Sequence, residues 1–400
     1  MSVRWATAWL AALLVLSACE VPPPTGTALV AGAHANLTPV DVRLLPGWQS
    51  DHLAEAIPPF LLECARLAQT PPDQKLGGEG LAASLGGQSG QWLPACTAAR
   101  ALPPGDDAAA RGFIEQYLQA YAIASDTGAT SGLITGYYEP EARGSRIRGG
   151  EYQTPLRARP PDLIQVDLGD FADDLKGRTI GGRLQDGKLV PYFDRAEIEN
   201  GALSGKRVDL LYLADPVDAF FMQIQGSGRV RLPNGRVVRV VYAAQNGRPY
   251  VPIGRLLAER GEIPAASVTM QSIRSWLNAH PDQAASLMDE NPSYVFFREA
   301  SNISPDEGPP GTLGVALTPG RSIAVDRKFI PLGAPVWIAT TDPLDGSPWQ
   351  RLMLAQDLGG AIRGPIRADI FFGWDADAEN RAGCMRQQGT AYVLLPRPSS

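Results

Sequence analysis

Three aspartates in the last quarter of the chain, Asp326, Asp357 and Asp369, have the type and placement for proton-transfer chemistry. Two of them lie in the stretch 351–383, RLMLAQDLGGAIRGPIRADIFFGWDADAENRAG. Strand-like runs at 352–355 and 366–372 flank a turn-rich segment with Gly359, Gly360, Gly364 and Pro365. Asp357 closes the first run, and Asp369 sits inside the second, between Ala368 and Ile370. A carboxylate in an apolar strand is costly to bury unless it is paired or protonated. A raised pKa there would suit a general acid working near neutral pH. A second reading, an edge-strand Asp facing solvent, stays open on this stretch alone. Asp326 ends another apolar run just before a turn, and each acid could equally bond its own turn.

The elements that must position these acids are mostly strands. A chain of 400 residues exceeds one ordinary core, so two domains are expected. With 44% hydrophobic and 20% charged residues the chain reads as soluble and globular. A net charge of -6 gives no reason to expect a nucleic acid partner. The last hundred residues read as short strands at 314–317, 322–325, 336–339, 352–355, 366–372 and 391–395, a pattern that suggests a small barrel. The middle region also reads as β, with strands at 133–140, 220–225, 228–232, 236–243 and 291–298 and a hairpin turn at Pro233-Asn234-Gly235. Helices are expected at 60–67 after a break at Pro58 and Pro59, and at 107–123, capped by Asp106 or Asp107. Others are expected at 253–260, 267–279 and 282–290.

The N-terminus reads as an export signal. Arg4, an apolar run from Ala6 to Leu16 and then Ser17-Ala18-Cys19 are too short to span a bilayer and end in small residues. Residues 1–18 are therefore expected to be a signal peptide. Cys19 resembles the lipid-modified cysteine of a bacterial lipoprotein box, and Glu20 after it favours the outer membrane by the same resemblance. Residues 19–37 would form the lipidated start and its linker. In an oxidising compartment the preferred disulfide joins Cys64 and Cys96, with other pairings open and Cys384 left over and buried.

Elimination narrows the chemistry. Three histidines, His34, His52 and His280, support neither a metal centre nor a histidine-dependent hydrolase, and no metal or cofactor is expected. No nucleophile elbow, phosphate loop or dinucleotide fingerprint is present. Carboxylate chemistry on an exported substrate remains, and glycosidic cleavage leads because it needs a protonated acid at the leaving oxygen.

Five motifs then carry a family resemblance: GYYEP (136–140), TPLRARP (154–160), FMQIQGSG (221–228), NPSYVFF (291–297) and DLGGAIRG (357–364). In this order they resemble the membrane-bound lytic murein transglycosylase A family, and the segment from Gly314 resembles a three-aspartate domain shared by several cell-wall proteins. The resemblance implies a mainly β fold with peripheral helices: a double-psi β-barrel built from 38–140 and 300–400, with a second β domain, 141–299, inserted and walling a substrate groove. It implies a monomer acting on peptidoglycan glycan strands at the periplasmic face of the outer membrane. It implies Asp369 as catalytic acid with Asp357 and Asp326 nearby, and sugar contacts from Tyr137, Tyr138, Gln223, Gln225, Gly226, Ser227, Gly359 and Gly360. Buried packing is the competing reading for the two tyrosines. Many relatives have His-Phe before the acid where this chain has Arg367-Ala368. Three rivals remain: a binding protein without catalysis, a hydrolase with Glu139 or Asp326 as a water-activating base, and a lipoprotein with a purely structural cell-wall role.

Overall fold

In the computed structural model, which describes residues 34–78, 80–172, 175, 179–301 and 303–397, strands from both ends of the chain close one barrel. The signal peptide and Cys19 lie outside the described residues. The first part supplies β1 (Ala35–Val40), helices α1 (Ile57–Leu67), α2 (Gly80–Gly86), α3 (Leu93–Ala99) and α4 (Asp107–Tyr117), then β2 (Leu118–Ser125) and β3 (Gly132–Tyr137). The middle part begins with β4 (Glu141–Ser145), β5 (Thr154–Arg157), β6 (Ile164–Asp167), β7 (Thr179–Gln185) and β8 (Lys188–Pro191). It continues through the single turn α5 (Arg195–Glu197), β9 (Asp209–Leu213), α6 (Pro216–Gln225), β10 (Ser227–Arg231) and β11 (Val237–Gln245). Helices α7 (Ile253–Glu259), α8 (Met270–Ala279) and α9 (Pro281–Asp289) precede β12 (Val295–Ala300). The last part holds β13 (Ser322–Val325), β14 (Pro335–Thr341), β15 (Pro348–Leu358), β16 (Ala368–Phe371), α10 (Ala376–Cys384) and β17 (Arg386–Pro396).

The barrel runs β17-β14-β15-β13-β16-β3, and β3 pairs back onto β17 to close a ring of six strands. Two pairs in the ring are parallel, β13–β15 and β16–β3. Strands β4 to β12 form two separate sheets, β12-β11-β10-β4-β9-β5 and β6-β7-β8. The fold is thus mainly β with peripheral helices, a double-psi barrel carrying a second β domain between β3 and β13. One large apolar core unites the barrel with α1, α3 and α4, and the inserted part has cores of its own. The first segment is also tied to the barrel by charge: buried Arg321 donates to both oxygens of Asp51 at 2.8 Å.

Several expectations need correction. Residues 220–225 are helical, within α6, because Asp215 caps the helix through the Val217 N–H, Pro216 starts it and Gly226 ends it at φ 79°. The apolar run FFMQI fits a strand or a buried helix, and its caps decide between them. The helix from Asp107 stops at Tyr117, and Tyr121 belongs to β2, which pairs with both β1 and β17. Pro58 and Pro59 do not interrupt a helix; they lie in the first turn of α1, where a missing N–H costs nothing. Residues 314–317 form a turn with one isolated bridge, Pro310 to Ala316, and no strand. Cys64 and Cys96 are joined in a disulfide that links α1 to α3, whereas Cys384 is only half-buried and outside any disulfide.

Next to that disulfide, Glu63 is fully buried, and neither carboxyl oxygen has a hydrogen-bond partner among the described residues. Burial pushes its carboxyl well above the ordinary range, so the folded chain holds it protonated. The unfolded chain releases that proton above its ordinary pKa of 4.5, so this group erodes stability as pH rises from there towards the raised folded value. Glu63→Gln, which cannot ionise, is expected to match wild type near pH 4 and to be more stable by ~1 kcal/mol or more near pH 8. Thermal scans at both pH values check this; a difference that does not grow with pH would contradict it.

Candidate active site

Register brings the acids together. Across neighbouring barrel strands the directly opposed residues run Thr135 (β3), Asp369 (β16), Ala324 (β13), Asp357 (β15). Opposed residues project from the same face of a sheet, so one rung carries two carboxyls separated by a single small side chain. A β-bulge makes this possible. In the β13–β15 pairing Ile323 opposes Ala355 and Ala324 opposes Asp357, leaving Gln356 as the extra residue. Gln356 is fully buried, donating to the Pro59 carbonyl (2.9 Å) and accepting from Ser322 (2.6 Å). Without the extra residue, Gln356 would oppose Ala324 and Asp357 would turn away from Asp369.

Hydrogen bonds then give the two acids different surroundings. Asp369 Oδ1 accepts from the Thr135 hydroxyl at 2.6 Å, and the same hydroxyl accepts from Arg367 Nη1 at 2.9 Å. Asp357 accepts four bonds: from Thr312 N (2.9 Å), Thr312 Oγ1 (2.7 Å) and Leu358 N (2.9 Å) at Oδ1, and from the Tyr137 hydroxyl (2.9 Å) at Oδ2. Burial pushes the Asp369 carboxyl up, against the pull of Arg367 and Thr135, and the Asp357 charge adds to the rise. Asp357 is also raised by burial, opposed by its donors from Thr312, Leu358 and Tyr137. Tyr137 is pushed well up by burial and by both acids, so it stays a neutral donor. Asp369 thus has the features of an acid that carries a proton: a raised pKa, part of its surface open, and one hydroxyl holding it.

Other residues singled out from sequence are placed elsewhere. Asp326 is buried and accepts from the backbone N–H groups of Lys328 (3.1 Å) and Gly364 (2.9 Å), so it anchors the loop between β15 and β16. Gly359 accepts from Ile362 N at 3.0 Å in that loop, a Cβ on it would meet Ile362 at 2.4 Å, and Gly360 is exposed. Tyr138 faces away from Tyr137, its hydroxyl on Glu379 at 3.2 Å, and its N–H donates to Gln225 Oε1 at 3.0 Å. Gln225 therefore ties the end of α6 to the end of β3, and does not sit in a free loop. Gly226 is the left-handed cap between α6 and β10, with open space where a Cβ would point, and Ser227 is buried at the start of β10. Gln223 lies on another face of α6, in a cleft of the inserted domain that includes none of the three aspartates.

Glu139 is not available as a base. It is fully buried and clamped by Arg229 Nε at 2.9 Å and by Arg239 Nε and Nη2 at 2.8 and 2.7 Å. Both arginines, from β10 and β11, also donate to carbonyls at 304–307, and Arg229 stacks on Trp374 at 4.3 Å. This knot fastens the inserted domain to the barrel beside the acids. Sequence reasoning missed Thr135, Thr312, Gln356 and Trp374 and saw Arg367 only as a departure. Thr135 was findable, because it shares a strand face with Tyr137 two residues on.

Comparisons with known proteins place the chain in a family. The MltA specific insert domain matches residues 133–298, and the 3D domain matches 321–395. A crystal structure of a membrane-bound lytic murein transglycosylase from Agrobacterium tumefaciens is 33% identical, with a TM-score of 0.79 over 90% of this chain and 98% of that one. The chain belongs to the membrane-bound lytic murein transglycosylase A family. The Escherichia coli K12 member is 35% identical over 275 residues, 67% of this chain and 66% of that protein, so the match spans about two thirds of the relative's length. An E. coli family structure with bound chitohexaose is 27% identical, with a TM-score of 0.65 over 90% of this chain and 95% of that one. Seen within the family, the barrel's last part corresponds to the 3D domain and the β4–β12 region to the insert domain. Among the described residues no helix is long and apolar enough to cross a membrane.

Proposed function

We propose that the chain is a peptidoglycan lytic transglycosylase that uses Asp369 as its single catalytic acid. The observation that carries this reading is the contrast among the carboxyls near the barrel face. Asp369 and Asp357 are both raised and half-buried, but Asp369 is held by one hydroxyl, while Glu139, Asp326 and Asp357 are each tied by several donors. Asp369 gives its proton to the bridging oxygen of the β-1,4 bond between N-acetylmuramic acid and N-acetylglucosamine. The C1–O bond breaks, the muramoyl C6 oxygen bonds to C1 within the same sugar, and the C6 hydroxyl proton passes to the Asp369 carboxylate. The acid is restored and the product carries a 1,6-anhydromuramoyl end. An intramolecular nucleophile has a large proximity advantage and needs no second carboxylate to activate water. The chitohexaose bound by the E. coli relative supports a glycan strand as the ligand of the barrel face. Tyr137, whose hydroxyl donates to Asp357, together with Gly226, Gly360 and Trp374, are the proposed sugar neighbours; Tyr138 and Gln225 join the end of β3 to the end of α6.

The proposed location is the periplasmic face of the outer membrane, with a lipid on Cys19 as the tether. Mass spectrometry of fragments released from purified sacculi by the chain starting at Glu20 tests the reaction. Every new end is expected to be an anhydromuramoyl end, one water lighter than a hydrolytic end. Reducing ends would reject the intramolecular route, and binding to sacculi without release would leave a binding protein.

A further inference from the structure

The inserted domain holds an open cleft of about 830 Å³ between β5, the α5 segment, α6 and α9. Two polar groups on its wall lack their usual partners. Arg195 is 4% exposed and donates to the carbonyls of Asn291 (3.0 Å) and Ser293 (2.6 Å), with its guanidinium over the rings of Phe220 and Tyr294 at 4.8 and 5.2 Å. Among the described residues no carboxylate comes within ion-pair distance of it; Glu199 and Asp289 act on it only through their more distant charges. Gln223, 5% exposed, keeps a buried Oε1 with no hydrogen-bond partner among the described residues. A buried cation with no carboxylate in contact and an amide oxygen without a donor are both costly, and both residues border the same cleft.

Their complement is a group that offers a carboxylate to Arg195 and, with the Gln223 amide turned over so that its oxygen faces the cleft, an N–H to Gln223. A phosphate or sulfate has no N–H, whereas the C-terminal residue of a peptide has both. Asp289, half-buried at the rim and in no ion pair among the described residues, adds a place for an ammonium group. We infer that this cleft is a second substrate site that binds the carboxylate end of the peptide stems carried by the glycan. The inference rests on the reading that the substrate is peptidoglycan, and it places one stem on the inserted domain while the glycan meets Asp369.

Calorimetric titration of the soluble chain with the tripeptide L-Ala-γ-D-Glu-meso-diaminopimelate tests it, beside the same peptide with its carboxylates amidated. Two variants are compared: Arg195→Gln, and Ala285→Trp, which fills the cleft from the surface of α9 without touching the buried groups. Each variant is first checked by its melting curve, and each is assayed on peptide-free glycan strands. Saturable binding by wild type is expected, lost on amidation and weakened roughly 10-fold or more in both variants, with cleavage of peptide-free glycan unchanged. No binding by wild type, or equal binding by wild type and both variants, would overturn the stem site. Loss of peptide-free glycan cleavage in wild type would strike at the proposed activity instead, and the titration would still decide the cleft.

Discussion

Asp369→Asn is expected to lower the rate of glycan cleavage by at least ~10²–10⁴-fold while leaving glycan affinity close to wild type. The amide keeps the shape and still accepts from Thr135 at the position of Oδ1, so the rung and the groove survive. What is lost is the proton for the leaving oxygen. The wild-type pH profile follows from the same group. Burial raises the Asp369 carboxyl, and the reactive form is the protonated one, so cleavage falls as pH climbs through that raised value. Asp357→Asn removes the neighbouring charge that contributes to the rise, so its profile moves to lower pH with a smaller rate loss. Release of soluble fragments from sacculi across pH, with pelleting as the binding measure, gives all three quantities. Cleavage by Asp369→Asn at the wild-type rate would remove Asp369 from the mechanism.

Glu139→Ala is expected to cost ~3–5 kcal/mol of stability, because it strands Arg229 and Arg239 in the interior with no carboxylate. Both arginines are nearly buried, at 7% and 6% exposure, and their other acceptors are carbonyls. For a chain of this size the loss corresponds to a melting midpoint lower by roughly 5 °C, read from thermal scans of both proteins. The knot also fixes the inserted domain beside the barrel, so cleavage of long glycan falls along with stability. A hydrolytic base at position 139 predicts another pattern: Glu139→Gln inactive yet as stable as wild type. An unchanged midpoint in Glu139→Ala would refute the structural role.

The proposed site therefore depends on devices that differ in how far they can be read from the chain. The cost of an Asp between Ala368 and Ile370 is local, and so are the turn glycines after Asp357 and the order of the five motifs. These were enough to single out Asp369 and the mainly β barrel. The caps of α6, Asp215-Pro216 and Gly226, were equally local and were passed over in favour of an apolar run.

Other features have no local signature. Whether Asp357 faces Asp369 or the opposite side depends on one extra residue, Gln356, in a parallel pairing whose partners lie 32 or 33 residues apart in sequence. Nothing in LeuAlaGlnAspLeu states that register. It is set by Gln356 finding Ser322 and the Pro59 carbonyl, the latter 297 residues away in sequence. Nothing in the sequence around Glu139 signals a salt bridge; folding brings Arg229 and Arg239 onto it from 90 and 100 residues away. Asp326, Asp357 and Asp369 are the same residue type at similar strand ends, yet one anchors a loop, one is held by four donors and one by a single hydroxyl. Side-chain type and periodicity set what each residue is able to do; partners brought in by strand pairing set which of them is left to do it.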